Sequence, residues 1–218
     1  MPEITKWRLN QKTVSADEAV RIVKSGDVIH YGEFALFPKL LDEALSARVE
    51  ELYDVELRST CYTQIPECVK KDPERKHFIM EDYHFGGVSR QLFKDGLVNY
   101  IPMMYHQMPR IIRKYIDIDV AFLTAAPMDS RGFFNFGLSN SLTSAVISKS
   151  KKIIIEVNEN VPVCLGGNQE MIHISRVDYI VHGEHSPLLQ LSQEEATDVD
   201  RAIPLMFLPR LRTGHACS

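Results

Sequence analysis

DVAFLTA (119–125), KKIIIEVN (151–158) and VDYIVHG (177–183) carry apolar runs of strand length that do not alternate with polar residues. Such a strand has no face to give to water, so it belongs in a sheet covered on both sides. Between the runs the spacing becomes helical. VSADEAVRIVKSGD (14–27) opens on Ser15, a good N-cap, carries Ala19, Val20, Ile22 and Val23 at helical spacing, and stops at Gly26. The strand DVIHY (27–31) follows. A helix within 32–49 comes next, with Pro38 suited to its first turn and Leu40, Leu41, Ala44 and Leu45 as its apolar face. The alternation continues with strands at 54–60 and 76–83 and a helix at 88–96. Residues 98–116 then give a short strand and an amphipathic helix starting near Pro109, and 140–150 another helix. Strand and helix taken in turn predict an α/β fold, a mostly parallel sheet with helices on both faces.

The chain has 218 residues, 44% hydrophobic and 25% charged, with a net charge of −4, which is ordinary for a globular protein. No basic run is present to match a phosphate backbone, which argues against nucleic acid as a partner. No window approaches about 18 uninterrupted apolar residues, which argues against a membrane span. The opening MPEITKWRLN lacks the apolar segment of a secretory signal. Cys61, Cys68, Cys164 and Cys217 form no C-x-x-C pair, so free thiols in a reducing cytoplasm are expected. His182 and His185 of HGEH have no obvious third ligand and read as surface histidines, so no metal is expected. FGGVSR (85–90) lacks the lysine of a phosphate-binding loop.

In open α/β sheets ligands collect beyond the carboxyl ends of the strands. Gly32–Glu33–Phe34, Cys61–Tyr62–Thr63, residues 127–141 and Asn158–Glu159–Asn160 each follow a predicted strand, so these loops are expected to share one rim. The loop APMDSRGFFNFGLSNS (126–141) threads Phe133, Phe134 and Phe136 among Gly, Ser and Asn, which suggests the wall of a shaped cavity. Gly137 permits close approach of backbone. Asn140 and Ser141 stand at a predicted helix start, where they either cap it or let its N-terminus face an anionic ligand group. Glu33 reads either as a base or nucleophile, or as a carboxylate favoured by a helix N-terminus. Glu156 is expected to accept hydrogen bonds and hold the sheet rim, and His30 to be a satisfied core histidine.

Several of these segments, in the same order, resemble the acetyl-CoA hydrolase/transferase family. VAFLTAAPMDSRGFFNFGLSNS (120–141) is similar to a family pattern close to S-P-M-D-x-x-G-y-f-x-f-G-x-S. NYIPMMYHQMPRIIRK (99–114), IIIEVNENVPVCLGG (153–167) and IHISRVDYIVHGE (172–184) resemble its neighbouring blocks. The likeness runs from about Val14 to Leu191, and its NSL and EVNENVP details look most like 4-hydroxybutyrate or butyryl-CoA:acetate CoA-transferases. The resemblance implies a fold of the NagB/RpiA/CoA-transferase type, built from two similar halves, and coenzyme A as a substrate. It also implies a glutamate nucleophile that passes through an acyl-glutamyl anhydride to a glutamyl-CoA thioester. That glutamate lies in the family's second half, and no residue here matches its motif. No catalytic residue is therefore assigned. Gly32, Glu33, Pro127, Met128, Gly137, Ser139 and Asn140 are the candidates for one wall of the pocket for acyl group and carboxylate. Leu138 stands where many relatives have Pro.

The expected layout is a domain over 1–190 and an irregular tail over 191–218. RAIPLMFLPRLRTGHACS (201–218) lacks periodicity and is apolar where a polar tail is expected. One codon set for its last eight residues, read in a shifted frame, gives a string like the family's P-D-G-A-x-L-Q opening of the second half. A product truncated or read out of frame from about Pro204 is thus expected, inactive or nearly so by itself. Its partners would be an acyl-CoA, a small carboxylate and the missing second half or a separate subunit, with a homo-oligomer once complete. The alternative is a non-catalytic subunit or binding module of a heteromeric CoA-transferase or acyl-CoA hydrolase.

Overall fold

The computed structural model describes residues 3–167, 169–190 and 194–207. The chain divides into a body, Met1–Leu188, and a second unit, Leu189–Ser218. Strands of the body are β1 (Val28–Tyr31), β2 (Val55–Ser59), β3 (Phe78–Asp82), β4 (Asn99–Tyr100), β5 (Ile118–Ala125), β6 (Phe133–Asn135), β7 (Ser150–Val157), β8 (Met171–His173) and β9 (Tyr179–His182). Seven of them form one parallel sheet in the order β4-β3-β2-β1-β5-β7-β9, as the apolar runs predicted. The order reverses direction at the β1/β5 seam, where a crevice for ligands opens in sheets of this kind.

The helices are α1 (Glu3–Lys12), α2 (Ala16–Ala19), α3 (Lys39–Ser46), α4 (Glu67–Lys71), α5 (Gly87–Lys94), α6 (Met108–Tyr115) and α7 (Thr143–Lys149). Ser15 caps α2 by accepting the Glu18 N–H at 3.2 Å, and Pro109 sits in the first turn of α6. On one face of the sheet Ile29, Tyr31, Leu57, Met80 and Phe122 pack with residues of α2 to α5. On the other, Ala121, Leu123, Ile153 and Ile155 pack against Ile112 of α6 and Ala145 and Val146 of α7.

Coverage is uneven. In β2 and β3 burial alternates, so Glu56, Arg58, Ile79 and Glu81 are only half-buried. Arg58 bridges Glu56 and Glu81 there, the latter at 2.9 Å. These two strands therefore follow the pattern of a sheet with one wetter face, contrary to burial on both sides.

Two elements went unpredicted, α1 and α4, together with the two-stranded antiparallel ribbon of β6 and β8. The second unit contains α8 (Asp198–Phe207), where an irregular tail was expected. Thr197 and Asp200 start it by exchanging bonds: Asp200 Oδ2 accepts the Thr197 N–H at 2.8 Å, and the Asp200 N–H reaches Thr197 Oγ at 3.2 Å. The proposed change of frame falls mostly on 208–218, and with Cys217 lies outside the described residues. Among the described residues no helix is long and apolar enough to cross a membrane.

Candidate functional site

β1 leaves the sheet through Gly32, whose position is fixed by contact. A Cβ there would stand 2.0 Å from the Leu36 carbonyl oxygen, and Ser59 Oγ donates to the Gly32 carbonyl at 2.9 Å. Phe34 then takes a left-handed φ of 51°. Between them Glu33 is buried, only 3% exposed, and its carboxylate accepts the Leu142 N–H at 3.0 Å and 3.3 Å through its two oxygens. Burial pushes this carboxyl up to about 7, against the lowering effect of the Leu142 N–H and the Ser141 hydroxyl. The Glu33 carboxylate does meet a helix start, but not that of the helix following it in the chain, α3. The start is that of α7, 109 positions away in sequence.

The loop after β5 is held by its own hydrogen bonds. Asp129 closes a tight turn by accepting the N–H groups of Arg131 and Phe133 at 2.8 Å and 2.9 Å. The chain then returns as β6. Phe134 and Phe136 are fully buried in the core beneath α6 and α7, and Met128 packs against that core. Phe133 packs at a tilt beside His173, ring centroids 4.9 Å apart. Phe134 and Phe136 therefore anchor the loop and do not line a cavity, whereas the half-buried Phe133 does, together with Ile172, His173 and Arg176. Pro127 is exposed and Ser139 buried.

Asn135 joins this loop to the one after β7. Its Oδ1 accepts the N–H groups of Gly137 and Cys164 at 2.8 Å and 3.1 Å, and its Nδ2 donates to the Cys164 carbonyl at 2.9 Å. Gly137 has φ of 55°, and a Cβ there would lie 2.5 Å from Val161 Cγ1 and 2.9 Å from the Pro162 carbonyl oxygen. Close approach is thus made to another loop of this chain. Asn140 lies beside Gly167, with its Oδ1 buried and unpartnered among the described residues. Leu142 is the N-cap of α7 and makes no side-chain cap bond, and Ser141 Oγ meets the Tyr105 hydroxyl. Capping by Asn140 or Ser141 is therefore not seen: Leu142 holds the cap position, and its N–H goes to Glu33.

Glu156 behaves as expected. It accepts the Leu41 N–H at 3.0 Å at the start of α3, and burial pushes it up to about 7 against the N–H groups of Leu41 and Leu40. Glu33 and Glu156 are both buried on backbone N–H groups, so neither stands free to attack a thioester. At the exit of β2, Cys61 has φ of 62° and donates its N–H to Asp82 Oδ1 at 2.9 Å. His185 Nδ1 accepts the Glu159 N–H at 3.1 Å, and the described residues contain no cluster suited to a metal.

His30 is a core histidine, yet not a satisfied one. Among the described residues neither ring nitrogen has a side-chain partner, nor does Thr60 Oγ1, while the Tyr83 hydroxyl lies against the Arg58 side chain. Burial holds His30 down at about 4, so the ring is neutral. These groups sit on β1 and just past β2 and β3. The Phe34 N–H lies 3.5 Å from the Thr60 carbonyl and the Tyr83 N–H donates to the Ser59 carbonyl at 3.1 Å, beside Gly32 and Glu33. Unmet hydrogen-bonding capacity of this kind was not readable in the sequence, because it depends on which strands are neighbours.

A parallel sheet whose elaborated loops meet at its reversal point defines an α/β protein of the open-sheet class, in which ligands generally collect at the carboxyl ends of the strands. Residues 4–189 match the acetyl-CoA hydrolase/transferase N-terminal domain, and the chain belongs to that family. It is 42% identical over 214 residues, 97% of its length, to the butyryl-CoA:acetate CoA-transferase of Anaerostipes caccae, of which it covers 48%. The crystal structure of RipA from Yersinia pestis superposes with a TM-score of 0.79 at 29% identity, over 89% of this chain and 47% of that one. A 4-hydroxybutyrate CoA-transferase structure from Porphyromonas gingivalis shares the fold, with a TM-score of 0.60 at 22% identity over 84% of this chain and 41% of that one. The chain thus spans about half the length of the curated relatives it matches.

Proposed function

We propose that this chain is the substrate-binding N-terminal half of a CoA-transferase. The enzyme would move CoA between a short-chain acyl-CoA of the butyryl or 4-hydroxybutyryl type and a carboxylate such as acetate. A glutamate carboxylate on the second half attacks the thioester carbonyl, and CoA leaves as the thiolate, giving an acyl-glutamyl anhydride. The thiolate then attacks the glutamyl carbonyl, which releases the first acid and leaves glutamyl-CoA; the acceptor carboxylate runs the same steps backwards. Gly32, Glu33, Pro127, Met128, Gly137, Ser139 and Asn140 contribute one wall of the acyl and carboxylate pocket. No metal takes part. The domain runs to about residue 190, and the completed protein is a cytoplasmic homo-oligomer.

The observation that supports this reading most is the bond from the loop after β5 to the loop after β1, Leu142 N–H to Glu33, at the reversal point of the sheet. It occurs in a chain 42% identical to a butyryl-CoA:acetate CoA-transferase. Transfer of CoA from butyryl-CoA to acetate, followed by chromatography of the acyl-CoAs, tests it. The 218-residue chain alone is expected to give none, and the chain fused to the second half of the Anaerostipes caccae relative to give turnover. Activity of the chain alone, or a folded but inactive fusion, overturns the proposal.

A further inference from the structure

Phe134 and Phe136 disappear into the core, but Phe133 stays half-buried and lines a cavity of about 390 Å³. The cavity lies between the β6–β8 ribbon and α7. Ala145 and Val146 of α7 pack on the sheet, whereas Ser144 and Ile147, one turn apart on the helix, border the cavity. Its floor is apolar: Ile147 and Ile172 are 6% and 3% exposed, and Phe133 completes it. Cavities of this size that hold small molecules combine such a floor with a few polar groups that fix orientation.

The polar groups here favour an anion. Arg176 rests one guanidinium N–H on the Ile147 carbonyl at 3.3 Å and pairs with no carboxylate among the described residues, so its remaining N–H groups are left for a ligand. His173 Nδ1 accepts the Ser175 N–H at 3.3 Å, which places the ring proton on Nε2 as a further donor. Arg113 adds a second guanidinium beside the cavity, donating to the Ser144 hydroxyl at 3.4 Å. Among the described residues no carboxylate lines the cavity. Glu170 turns towards Gly167, and Asp178 is held by Lys152 at 2.8 Å and the Ile153 N–H at 2.9 Å. A guanidinium presents parallel N–H donors that match carboxylate and phosphate oxygens, while a bare inorganic ion would make no use of the apolar floor. We propose that this cavity binds a small organic anion, a carboxylate or phosphate ester carrying an apolar body. Arg176 holds the anionic group, and Phe133, Ile147 and Ile172 lie under the body. None of the lining residues is among the seven proposed for the acyl and carboxylate wall, so the two readings are tested separately.

The test is calorimetry of the whole 218-residue chain at low salt, with benzoate and phenyl phosphate as probes. Inorganic phosphate supplies the charge without the body, and benzyl alcohol the body without the charge. Saturable one-to-one binding of at least one organic anion is expected, with both of these controls weaker by about tenfold or more. Whichever organic anion binds more tightly assigns the ligand to carboxylates or to phosphate esters. Arg176→Gln should weaken binding about tenfold or more, because a charge-assisted hydrogen bond is lost. Phe133→Ala should weaken it as well with Arg176 still in place, and the urea midpoint of each variant verifies that it folds. Arg21→Gln is the control, since that residue is exposed beside α2 on the other face of the sheet and its loss should change nothing. Four results would each overturn the inference: no saturable binding of either organic anion, a control ligand that binds as well as they do, binding confined to a polyanion such as heparin, or an Arg176→Gln variant that binds as the parent does. The last would also be the result if benzoate sat on the acyl and carboxylate wall instead.

Discussion

Glu33→Gln should make the protein more stable at pH 8. The substitution keeps an oxygen acceptor for the Leu142 N–H and removes the titration. An unfolded glutamate titrates near 4.5, whereas Glu33 in the fold titrates at about 7, chiefly through burial. Between those values the folded protein holds a proton that the unfolded chain has lost. The stability linked to this group is therefore complete below pH 4.5 and is lost as the pH rises through 7. A rise from 4.5 to about 7 corresponds to roughly 3 kcal/mol, of which about 2–3 kcal/mol falls between pH 5 and pH 8. Urea unfolding at both values measures it. The variant should match the parent within about 1 kcal/mol at pH 5 and exceed it by about 2–3 kcal/mol at pH 8. Glu156 and Asp42, pushed up to about 7 and about 6 by burial, also weaken the fold as pH rises, while His30, held at about 4, weakens it as pH falls below 6.5. All three are common to both proteins, so the difference isolates Glu33. Parallel curves from pH 5 to pH 8 would refute the reasoning.

Gly137→Ala must place a methyl 2.5 Å from Val161 at a left-handed φ, and should cost at least about 2 kcal/mol, lowering the melting temperature by roughly 4–8 °C in a calorimetric scan. Asn135→Ala removes three hydrogen bonds, two of them between the two rim loops. Exchange of the Gly137 and Cys164 amides should accelerate by about tenfold or more while the amides of β5 and β7 keep their protection.

The parallel sheet was legible because β5 and β7 are apolar at successive positions, a pattern that only a strand covered on both sides tolerates. β6 and β8 were not: three residues are too few to show a period, and Phe133–Phe134 reads as loop until Met171–His173 is known to lie beside it. Gly32, Glu33 and Glu156 were marked from their places after or within strands. The partner of Glu33 was not, because no local pattern links residue 33 to an N–H at residue 142. Likewise the sequence suggested a role for Phe134 and Phe136 by their oddity in a loop, yet only packing shows that they hold the loop down.

The Glu33–Leu142 bond also sets a timetable for synthesis. A ribosome delivers β1, β2, β3 and β4 before any of β5, so the first half of the sheet is available while Glu33 still has no partner. The residue that completes it follows 109 positions later, a delay of roughly 5–20 s at ordinary elongation rates. Until Ala125 has been delivered the β1 edge that β5 covers stays open, and Glu33 waits for Leu142 beyond that. The rim is therefore among the last parts of the body to be assembled, and a nascent chain stalled just before residue 142 would carry five of the seven sheet strands but no partner for Glu33.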